Sequence, residues 1–447
     1  MPPETPFDLK FTSREVTAWG GLALLKRMLD GMGFKEAVQS WDLPQPGSNR
    51  GYRPEQLIEQ MIVSIWCGAA RFAHADITRL DSTLVRLFDW GKAAGHKAIV
   101  RLFQRFDQVS ASRVQSSSYR WLFDKLQLNP ITLDVDSTVL TRWGSQIEGG
   151  AKGYNPKNKG RQSHHPLMAF VADWRLVANF WLRPGNTASS NNIESFLEST
   201  LKNLGDTKVG LFRADSGFYD KVIVAWLKAK KICHIISARL TQALQQSIVD
   251  QCKWQQVEVG LEVSELSYQP HGWDTQQRLV VVRQHIKRRY GAVAGKTLSL
   301  FADDPDLQGW RYGAMLTDLS IPALEVWRLY RGRADCENRI KELKADFGLD
   351  SFVLREFWAT EAALGVSMLS YNLMSVFRHA VMRQKVHHTL STLHHQVLAV
   401  GALWDDNSKN TKQTFRLAVA RKRRPWFEGL WANAGEPVRL TPKPSNS

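Results

Sequence analysis

Three acidic residues stand in sequence contexts that could support metal-dependent chemistry. Asp136 lies in the segment ITLDVDSTVL, whose alternation of β-branched and other residues predicts a strand over 131–140. Asp215 follows a second predicted strand, 209–213, within the sequence RADSGFY, and Glu337 lies in a segment with helical periodicity. Mg²⁺ prefers carboxylate oxygen, so acids brought together from separate elements are candidates for a metal site.

Asp134 is the alternative to Asp136 in the first of these strands. Side chains alternate between the two faces of a strand, so both carboxylates are expected to point to the same side. Two carboxylates on one face repel unless a cation or hydrogen bonds compensate them. The strand pattern alone therefore predicts a compensated acidic pair without deciding which member would bind metal.

The predicted helix over 321–347 carries a polar stripe. Its members are spaced three, four and seven residues apart, which places them on one narrow face of a helix: Tyr330, Arg333, Glu337 and Lys344. A helix-stabilising ion pair between Arg333 and Glu337 is the simpler interpretation, but it leaves the spacing of all four unexplained. Arg and Lys stay cationic and hydrogen-bond phosphate oxygens, so the stripe favours a phosphate-binding face.

These residues together suit phosphoryl transfer. Two ions about 4 Å apart can activate an attacking hydroxyl and stabilise the leaving oxygen of an in-line displacement. In this hypothesis Asp136 is shared between both ions, Asp215 binds one ion and Glu337 binds the other. The cofactor would be Mg²⁺, with Mn²⁺ as a substitute, at two ions per site. Phosphate would be held by the other stripe members, Tyr330, Arg333 and Lys344.

Other segments are candidates for DNA contacts. A basic loop that follows the first strand could hold the DNA backbone or could simply be solvated; its cations include Lys152, Lys157, Lys159 and Arg161. Arg183, in RPGNT, could contact DNA or form a turn, and Trp310, which precedes the strand leading to the predicted helix 321–347, could fill a core. His164 and His165 are adjacent, which is poor geometry for joint metal binding, so they are not predicted ligands.

The elements after residue 130 predict an α/β fold. Three predicted strands are followed by alternating helices and strands: strands at 131–140, 166–172 and 176–181, helix 189–204, strand 209–213, helix 219–230 and strand 232–237. This order matches a ribonuclease-H-like α/β sandwich whose first three strands form an antiparallel meander.

The chain is expected to divide into five segments. The first segment is expected to be helical, and the basic faces of its helices could read DNA or could simply be solvated. The segments are a helical N-terminal DNA-binding domain (1–125), the first part of the catalytic core (126–238), a β-rich insertion (239–311), the second part of the core (312–385) and a basic C-terminal region (386–447).

Charge and composition narrow the class of protein. The 447 residues include 59 Lys and Arg against 43 Asp and Glu, a net charge of +16 that favours a polyanionic partner. The four cysteines form no CxxC pair or zinc spacing, and the N-terminus has no apolar signal segment, which is typical of a cytoplasmic protein. The uncharged apolar stretch 362–377 is shorter than a membrane span and favours a buried helix.

Several motifs together point to a family. DST, RADSGF and Y-x2-R-x3-E-x6-K resemble the DDE transposases of bacterial insertion sequences, in the group with the Y-R-E-K helix signature. KGYNP and RPGNT are similar to the branch of that group with an LDxDST first motif, written LDVDST here. By this resemblance Asp136 corresponds to the first acid because Ser137 and Thr138 follow it, with Asp215 and Glu337 as the second and third.

The resemblance implies a fold and an activity. It implies a ribonuclease-H-like core, a β insertion between the second Asp and the Glu, and an all-helical N-terminal domain. It implies cut-and-paste transposition by a homodimer that binds terminal inverted repeats in double-stranded DNA and joins the 3′ ends to target DNA; in related enzymes the ends pass through a hairpin. It also implies phosphate binding by Tyr330, Arg333 and Lys344, and base stacking near Trp310.

Two other interpretations remain open at the level of sequence. A catalytically silent DNA-binding protein derived from a transposase fits the basic charge equally well, although binding alone does not require three acids. A ribonuclease-H-like nuclease would cut DNA without joining the new 3′ end to a target.

Overall fold

The computed structural model describes residues 7–47, 51–128, 130–285, 309–405 and 413–440. Its α-helices, in chain order, are α1 (Leu22–Met32), α2 (Phe34–Ser40), α3 (Pro54–Trp66), α4 (Asp76–Arg79), α5 (Ser82–Leu87), α6 (His96–Phe103), α7 (Gln108–Leu126), α8 (Ile193–Leu204), α9 (Lys221–Ala229), α10 (Gln242–Gln251), α11 (Ala323–Arg331), α12 (Ala334–Asp346), α13 (Phe357–Val376), α14 (Leu390–Leu393) and α15 (Arg424–Ala434).

The strands form one large sheet and two small ones. They are β1 (Ile131–Ser137), β2 (Leu140–Thr141), β3 (Ala151–Lys152), β4 (Gln162–His164), β5 (Leu167–Val171), β6 (Leu176–Trp181), β7 (Val209–Ala214), β8 (Cys233–Ser237), β9 (Gln255–Glu258), β10 (Leu261–Tyr268), β11 (Gln277–His285), β12 (Trp310–Thr317), β13 (Ala402–Asp405) and β14 (Thr414–Leu417). The chain divides into two compact units, one made of Met1–Leu126 with Glu342–Ser447 and the other of Gln127–Lys341.

The first unit is mainly helical. The predicted helical character of the N-terminal 125 residues is confirmed by α1–α7, and Pro54 occupies the first turn of α3, where its missing N–H costs nothing. Helix α13 packs against α3 and α7, and Trp66 Nε1 donates to the Ser370 carbonyl at 3.2 Å. Most residues of α13 are buried, which confirms the prediction of a buried helix at 362–377. No helix in the described part of the chain could cross a membrane.

The second unit is built on a nine-stranded mixed sheet in the order β6-β5-β1-β7-β8-β12-β11-β10-β9. β6, β5 and β1 are antiparallel neighbours, whereas β1, β7 and β8 run parallel, as the connecting helices α8 and α9 require. The strands expected between 131 and 237 are therefore confirmed. The β-rich segment continues the same sheet through β9–β12, and residues 286–308 of the predicted insertion lie outside the described residues.

A buried charge cluster fixes helix α12 against this sheet. Asp134, in the middle of β1, is fully buried, and its carboxylate accepts from Arg213 on the neighbouring strand β7 at 2.7 and 3.0 Å. Arg339 on α12 reaches the same carboxylate at 3.4 Å and also donates to the Ala172 carbonyl at 2.8 Å. Two guanidinium groups thus supply the compensation that a buried carboxylate requires.

The prediction of one helix over 321–347 is wrong, because the chain forms two helices, α11 and α12, with a turn between them. The side chain of Arg213 donates to the Leu329 carbonyl, which would otherwise accept from the Arg333 amide in a continuous helix. The Arg333 amide instead bonds the Tyr330 carbonyl at 2.9 Å. Gly332 permits this approach, since a Cβ there would lie 2.7 Å from Arg213 Nη1.

We predict that Asp134→Asn destabilises the protein by about 3–5 kcal/mol, because two buried guanidinium groups lose their counter-charge. Urea unfolding followed by tryptophan fluorescence would measure this. Glu325→Gln is the control, since Glu325 is half-exposed and its ion pair with Arg328 contributes less than about 1 kcal/mol. Equal stability of the two variants would contradict a structural role for Asp134.

Candidate active site

Asp136 and Asp215 meet at one edge of the sheet because their strands are parallel neighbours. Val135 on β1 pairs with Ala214 on β7, so the residue that follows each of them emerges at the same level. Functional groups collect at such carboxyl ends of strands in α/β sheets. The side chain of Asp136 is 10% exposed and that of Asp215 is 43% exposed. The sheet thus presents a buried carboxylate beside a more accessible one.

Backbone amides orient both carboxylates. The Ser137 amide donates to Asp136 Oδ1 at 2.8 Å, and the Gly217 amide donates to Asp215 Oδ1 at 2.8 Å. In each case the second oxygen, Oδ2, is the atom that faces the site. Burial raises the pKa of the Asp136 carboxyl to about 6, and the nearby negative charges add to the rise, while Arg333 opposes it.

Arg333 lies between the two carboxylates. Its Nη2 is 3.2 Å from Asp136 Oδ2 and 3.7 Å from Asp215 Oδ2. Burial disfavours the charged guanidinium, yet the two carboxylates outweigh this and raise the pKa of Arg333 above its ordinary value. Its Nε is buried and has no hydrogen-bond partner within the described ranges. Arg333 can therefore hold its positive charge between the two carboxylates and offer its Nε–H as a hydrogen-bond donor to an anion.

The turn between α11 and α12 sets the positions of the polar stripe. Tyr330 is on the last turn of α11, Arg333 precedes α12, and Glu337 is on its first turn, so the stripe belongs to two helices rather than one. Tyr330 is half-buried beside Arg333, and burial raises the pKa of its hydroxyl. The interpretation of four residues on one continuous helical face is corrected accordingly.

Glu337 lines a groove of about 820 Å³ together with Tyr330, Arg333, Arg239 and Arg311. Its side chain is 68% exposed, and its Oε2 lies 4.0 Å from Lys341 Nζ. Its negative charge makes a smaller contribution to the raised pKa of Asp136 than burial and Asp215 do. No three His, Cys, Asp or Glu side chains among the described residues are close enough together to hold a metal ion.

The donor chemistry at the acidic pair nevertheless suits a divalent cation. Asp136 and Asp215 present carboxylate oxygens to a single point, which Arg333 Nη2 approaches. Carboxylate oxygens are the ligands that Mg²⁺ takes, and a buried carboxylate with a raised pKa gains most from an added cation. Asp134 is not part of this pair, because both of its oxygens bond to Arg213.

Lys344 and Trp310, two further residues predicted to contact phosphate or DNA, have partners of their own. Lys344 belongs to the mainly helical unit, where its Nζ is 4.0 Å from Asp350 Oδ1. Trp310 is half-buried at the start of β12, and the guanidinium of Arg283 lies 4.6 Å from its ring centroid. Arg283 is also 4.3 Å from the ring of Trp254, so it joins two indoles.

Arg183 is buried and holds a loop. It is 4% exposed, and its guanidinium donates to the carbonyls of His165, Ala188 and Asn191. These bonds fix the 184–191 loop, whose Ser189 hydroxyl lies 3.0 Å from that of Ser137, next to Asp136. Arg183 therefore shapes the surroundings of the acidic pair from within the protein.

His164 and His165 are both buried. His164 Nδ1 accepts from Arg142 at 2.9 Å, and its Nε2 lies 2.8 Å from the Glu148 carbonyl. Burial lowers the pKa of His164 to about 4, and the Arg142 charge adds to the effect. The neighbouring cations of the predicted basic loop are exposed: Lys152, Lys157, Lys159 and Arg161.

Sequence reasoning missed Arg213 and Arg339. The signal was available for Arg213, which lies two residues before Asp215 in RADSGF and hence faces the same side of β7. A charged residue within an apolar strand, beside a strand that carries two acids, indicates an ion pair across the sheet. Arg339 had no comparable signal, since its partner lies more than two hundred residues away in the chain.

No curated protein matches the sequence. Among solved structures, the chain is similar to one described as "Cryo-EM structure of piggyBac transposase synaptic complex with hairpin DNA", with a TM-score of 0.46, 11% sequence identity, and coverage of 86% of this chain and 81% of that chain.

A family model described as "Transposase DDE domain group 1" matches residues 4–430. The match extends over both compact units and includes Asp136, Asp215, Arg333 and Glu337. The chain therefore belongs to this family of DDE transposases.

Proposed function

We propose that the protein is an active DDE transposase of a bacterial insertion sequence that carries out cut-and-paste transposition. It binds the terminal inverted repeats of its element, hydrolyses phosphodiester bonds at the ends and transfers the 3′ ends to target DNA. The observation that carries the proposal is the meeting of Asp136 and Asp215 at the ends of β1 and β7, in a chain of the DDE family.

A ribonuclease-H-like core is part of the proposal. The first five long strands of the sheet lie in the order β6-β5-β1-β7-β8, with three antiparallel strands followed by two parallel ones. In order of appearance this is third, second, first, fourth and fifth, which agrees with an antiparallel meander extended by two helix-connected strands. The β9–β12 segment, which lies between the second acid and Glu337 in sequence, corresponds to the proposed insertion.

The metal ligands in this proposal are Asp136, Asp215 and Glu337. Asp136 and Asp215 already face one point, and Glu337 would complete the set from α12, where its exposed side chain is little constrained by packing. Bound Mg²⁺ or Mn²⁺, at two ions per site, would supply Lewis-acid stabilisation of the reacting phosphate. Arg333 holds the two carboxylates in place and has a buried donor for a phosphate oxygen, beside the hydroxyl of Tyr330.

The proposed partner is double-stranded DNA, both as terminal inverted repeats and as target. The net charge of +16 favours a polyanion of this kind. A homodimer in the complex with two element ends would bring both ends to one target. The helical N-terminal segment and the basic C-terminal segment are proposed to bind DNA outside the acidic pair, with Lys344 as a further phosphate contact.

We predict that Asp136→Asn, Asp215→Asn and Glu337→Gln each lower cleavage by about two orders of magnitude or more, because each removes a charged metal ligand. The assay uses the full chain, Mg²⁺ or Mn²⁺ and DNA that carries the inverted repeats flanking the gene. Gel shifts should show that end binding is largely retained.

Glu325→Gln, an exposed substitution on α11, is the matched control for cleavage and should behave as the parent protein. Full cleavage by Glu337→Gln would remove that residue from the site. A strand-transfer assay tests the reaction class: cutting without joining would indicate a nuclease, and binding without cutting under either metal would indicate a catalytically silent protein.

The raised pKa of Asp136 predicts a pH-dependent effect on stability. The folded protein holds a proton on this carboxyl up to about pH 6, compared with an ordinary pKa of 3.8, so its ionisation costs stability increasingly between those values. Asp136→Asn should therefore raise the free energy of unfolding at pH 7 by on the order of 1–3 kcal/mol and have little effect below about pH 4.

Urea unfolding in metal-free buffer across this pH range measures the effect. Asp215→Asn is the control, because its carboxylate is half-exposed and its cap on the Gly217 amide can be made by Asn. A loss of stability in Asp136→Asn at pH 7 would show that the ion pair with Arg333 outweighs burial.

A further inference from the structure

A surface built by the small sheet β2-β4-β3 combines exposed aromatic rings with cations. Trp143 is 71% exposed and Tyr154 is 73% exposed. The exposed cations of the same segment complete what we term the aromatic–basic surface: Lys152, Lys157, Lys159 and Arg161. Thr141 on β2 and Ala151 on β3 both pair with Ser163, so the segments that carry Trp143 and Tyr154 leave the small sheet at the same end. Exposed rings grouped in this way indicate a surface that meets another molecule.

The charge of this segment favours a polyanion. Residues 142–162 contain five Lys and Arg and one acid, Glu148. Arg142 is buried and bonds to His164, so it stabilises the segment from beneath. The guanidinium of Arg161 lies 5.2 Å from the ring centroid of Trp143, which is a cation–π distance and orients the indole beside the cations.

The two rings are held at one edge of the sheet. Asn155 and Asn158 both donate to Thr141 Oγ1 at 3.1 Å, which folds the loop after β3 back onto β2. Tyr154 directly precedes Asn155, and Trp143 is two residues beyond Thr141, so the same hydrogen bonds position both rings. A surface fixed in this way loses little conformational freedom when it binds a ligand.

The aromatic–basic surface is joined to the acidic pair by the 184–191 loop. The backbones of Gly153 and Gly185 are packed so closely that a Cβ on Gly153 would lie 2.0 Å from the Gly185 carbonyl oxygen. At its other end the same loop places the Ser189 hydroxyl 3.0 Å from that of Ser137, beside Asp136. The loop therefore joins the surroundings of Asp136 to the segment that carries Tyr154.

We propose that the aromatic–basic surface binds unpaired DNA bases, which stack on Trp143 and Tyr154 while the surrounding cations neutralise the backbone. Stacking needs an accessible base face, which a single strand provides and a paired duplex does not. The cations alone could neutralise the backbone of a duplex, so the exposed rings are the feature that selects unpaired DNA. This inference rests on the proposed function only in taking DNA as the substrate.

The test compares two probes on the full chain in metal-free buffer: labelled oligothymidylate and a blunt duplex of equal length. Replacing both rings, Trp143→Ala with Tyr154→Ala, should weaken oligothymidylate binding by at least about tenfold and change duplex binding by less than about twofold. The ring-retaining pair, Trp143→Phe with Tyr154→Phe, is the matched control and should bind oligothymidylate within about threefold of the parent.

A second readout does not depend on affinity. A 2-aminopurine base in an unpaired overhang should lose fluorescence on binding the parent protein and the Phe pair, because it stacks on a ring, and keep it with the Ala pair. An unchanged urea unfolding midpoint would show that the Ala pair is folded. Equal losses for both probes in that folded variant, or no loss for oligothymidylate, would overturn the inference.

The outcome is separable from that of the cleavage assays. A parent protein that cuts DNA but binds oligothymidylate independently of both rings would refute this inference and leave the proposed activity standing. Ring-dependent binding in a protein that cuts no DNA with either metal would support this inference and refute the catalytic proposal.

Discussion

The buried ion pair between Asp134 and Arg213, joined by Arg339, is the interaction on which the geometry of the acidic site depends. Asp134 and Arg213 lie on neighbouring parallel strands, and Arg339 comes from α12. A fully buried carboxylate must be compensated by cations, so the packing of the helix on the sheet depends on these three groups being in contact. Their meeting fixes α12 at the sheet edge where Asp136 and Asp215 emerge.

The same arginine that compensates Asp134 also separates α11 from α12. Arg213 donates a hydrogen bond to the Leu329 carbonyl, and the chain turns at that point. The turn places Arg333 between Asp136 and Asp215 instead of on a continuous helical face. One strand residue thus links the buried structural acid to the acidic pair beside it. The neighbouring acids Asp134 and Asp136 share a face of β1 but have different surroundings: the first is fully bonded by arginine, whereas the second keeps an oxygen directed to the site.

The site extends beyond the acids through loops that arginine and glycine hold in place. Arg183 fixes the 184–191 loop by main-chain bonds, and the contact of Gly185 with Gly153 joins that loop to the aromatic–basic surface. The motifs KGYNP and RPGNT therefore act together, since their glycines allow a backbone approach that any side chain would block. This gives a physical reason for glycine in both motifs, although they are more than thirty residues apart in sequence.

The sequence by itself determined the kinds of element and the family motifs. Period-two alternation predicted β1, and apolar runs predicted β5 and β6, which are buried on both faces, because such patterns are local consequences of burial. The short strands β7 and β8 and the helices α8 and α9 were predicted from the same kind of local pattern. The motifs around Asp136, Asp215 and Glu337 indicated the DDE family, to which the chain belongs. Only the tertiary structure decided which strand acid is bound by arginine, where the helix of the polar stripe breaks and that Arg183 is buried. These depend on partners distant in the chain, such as Arg339 for Asp134, and no local pattern encodes a contact of that range.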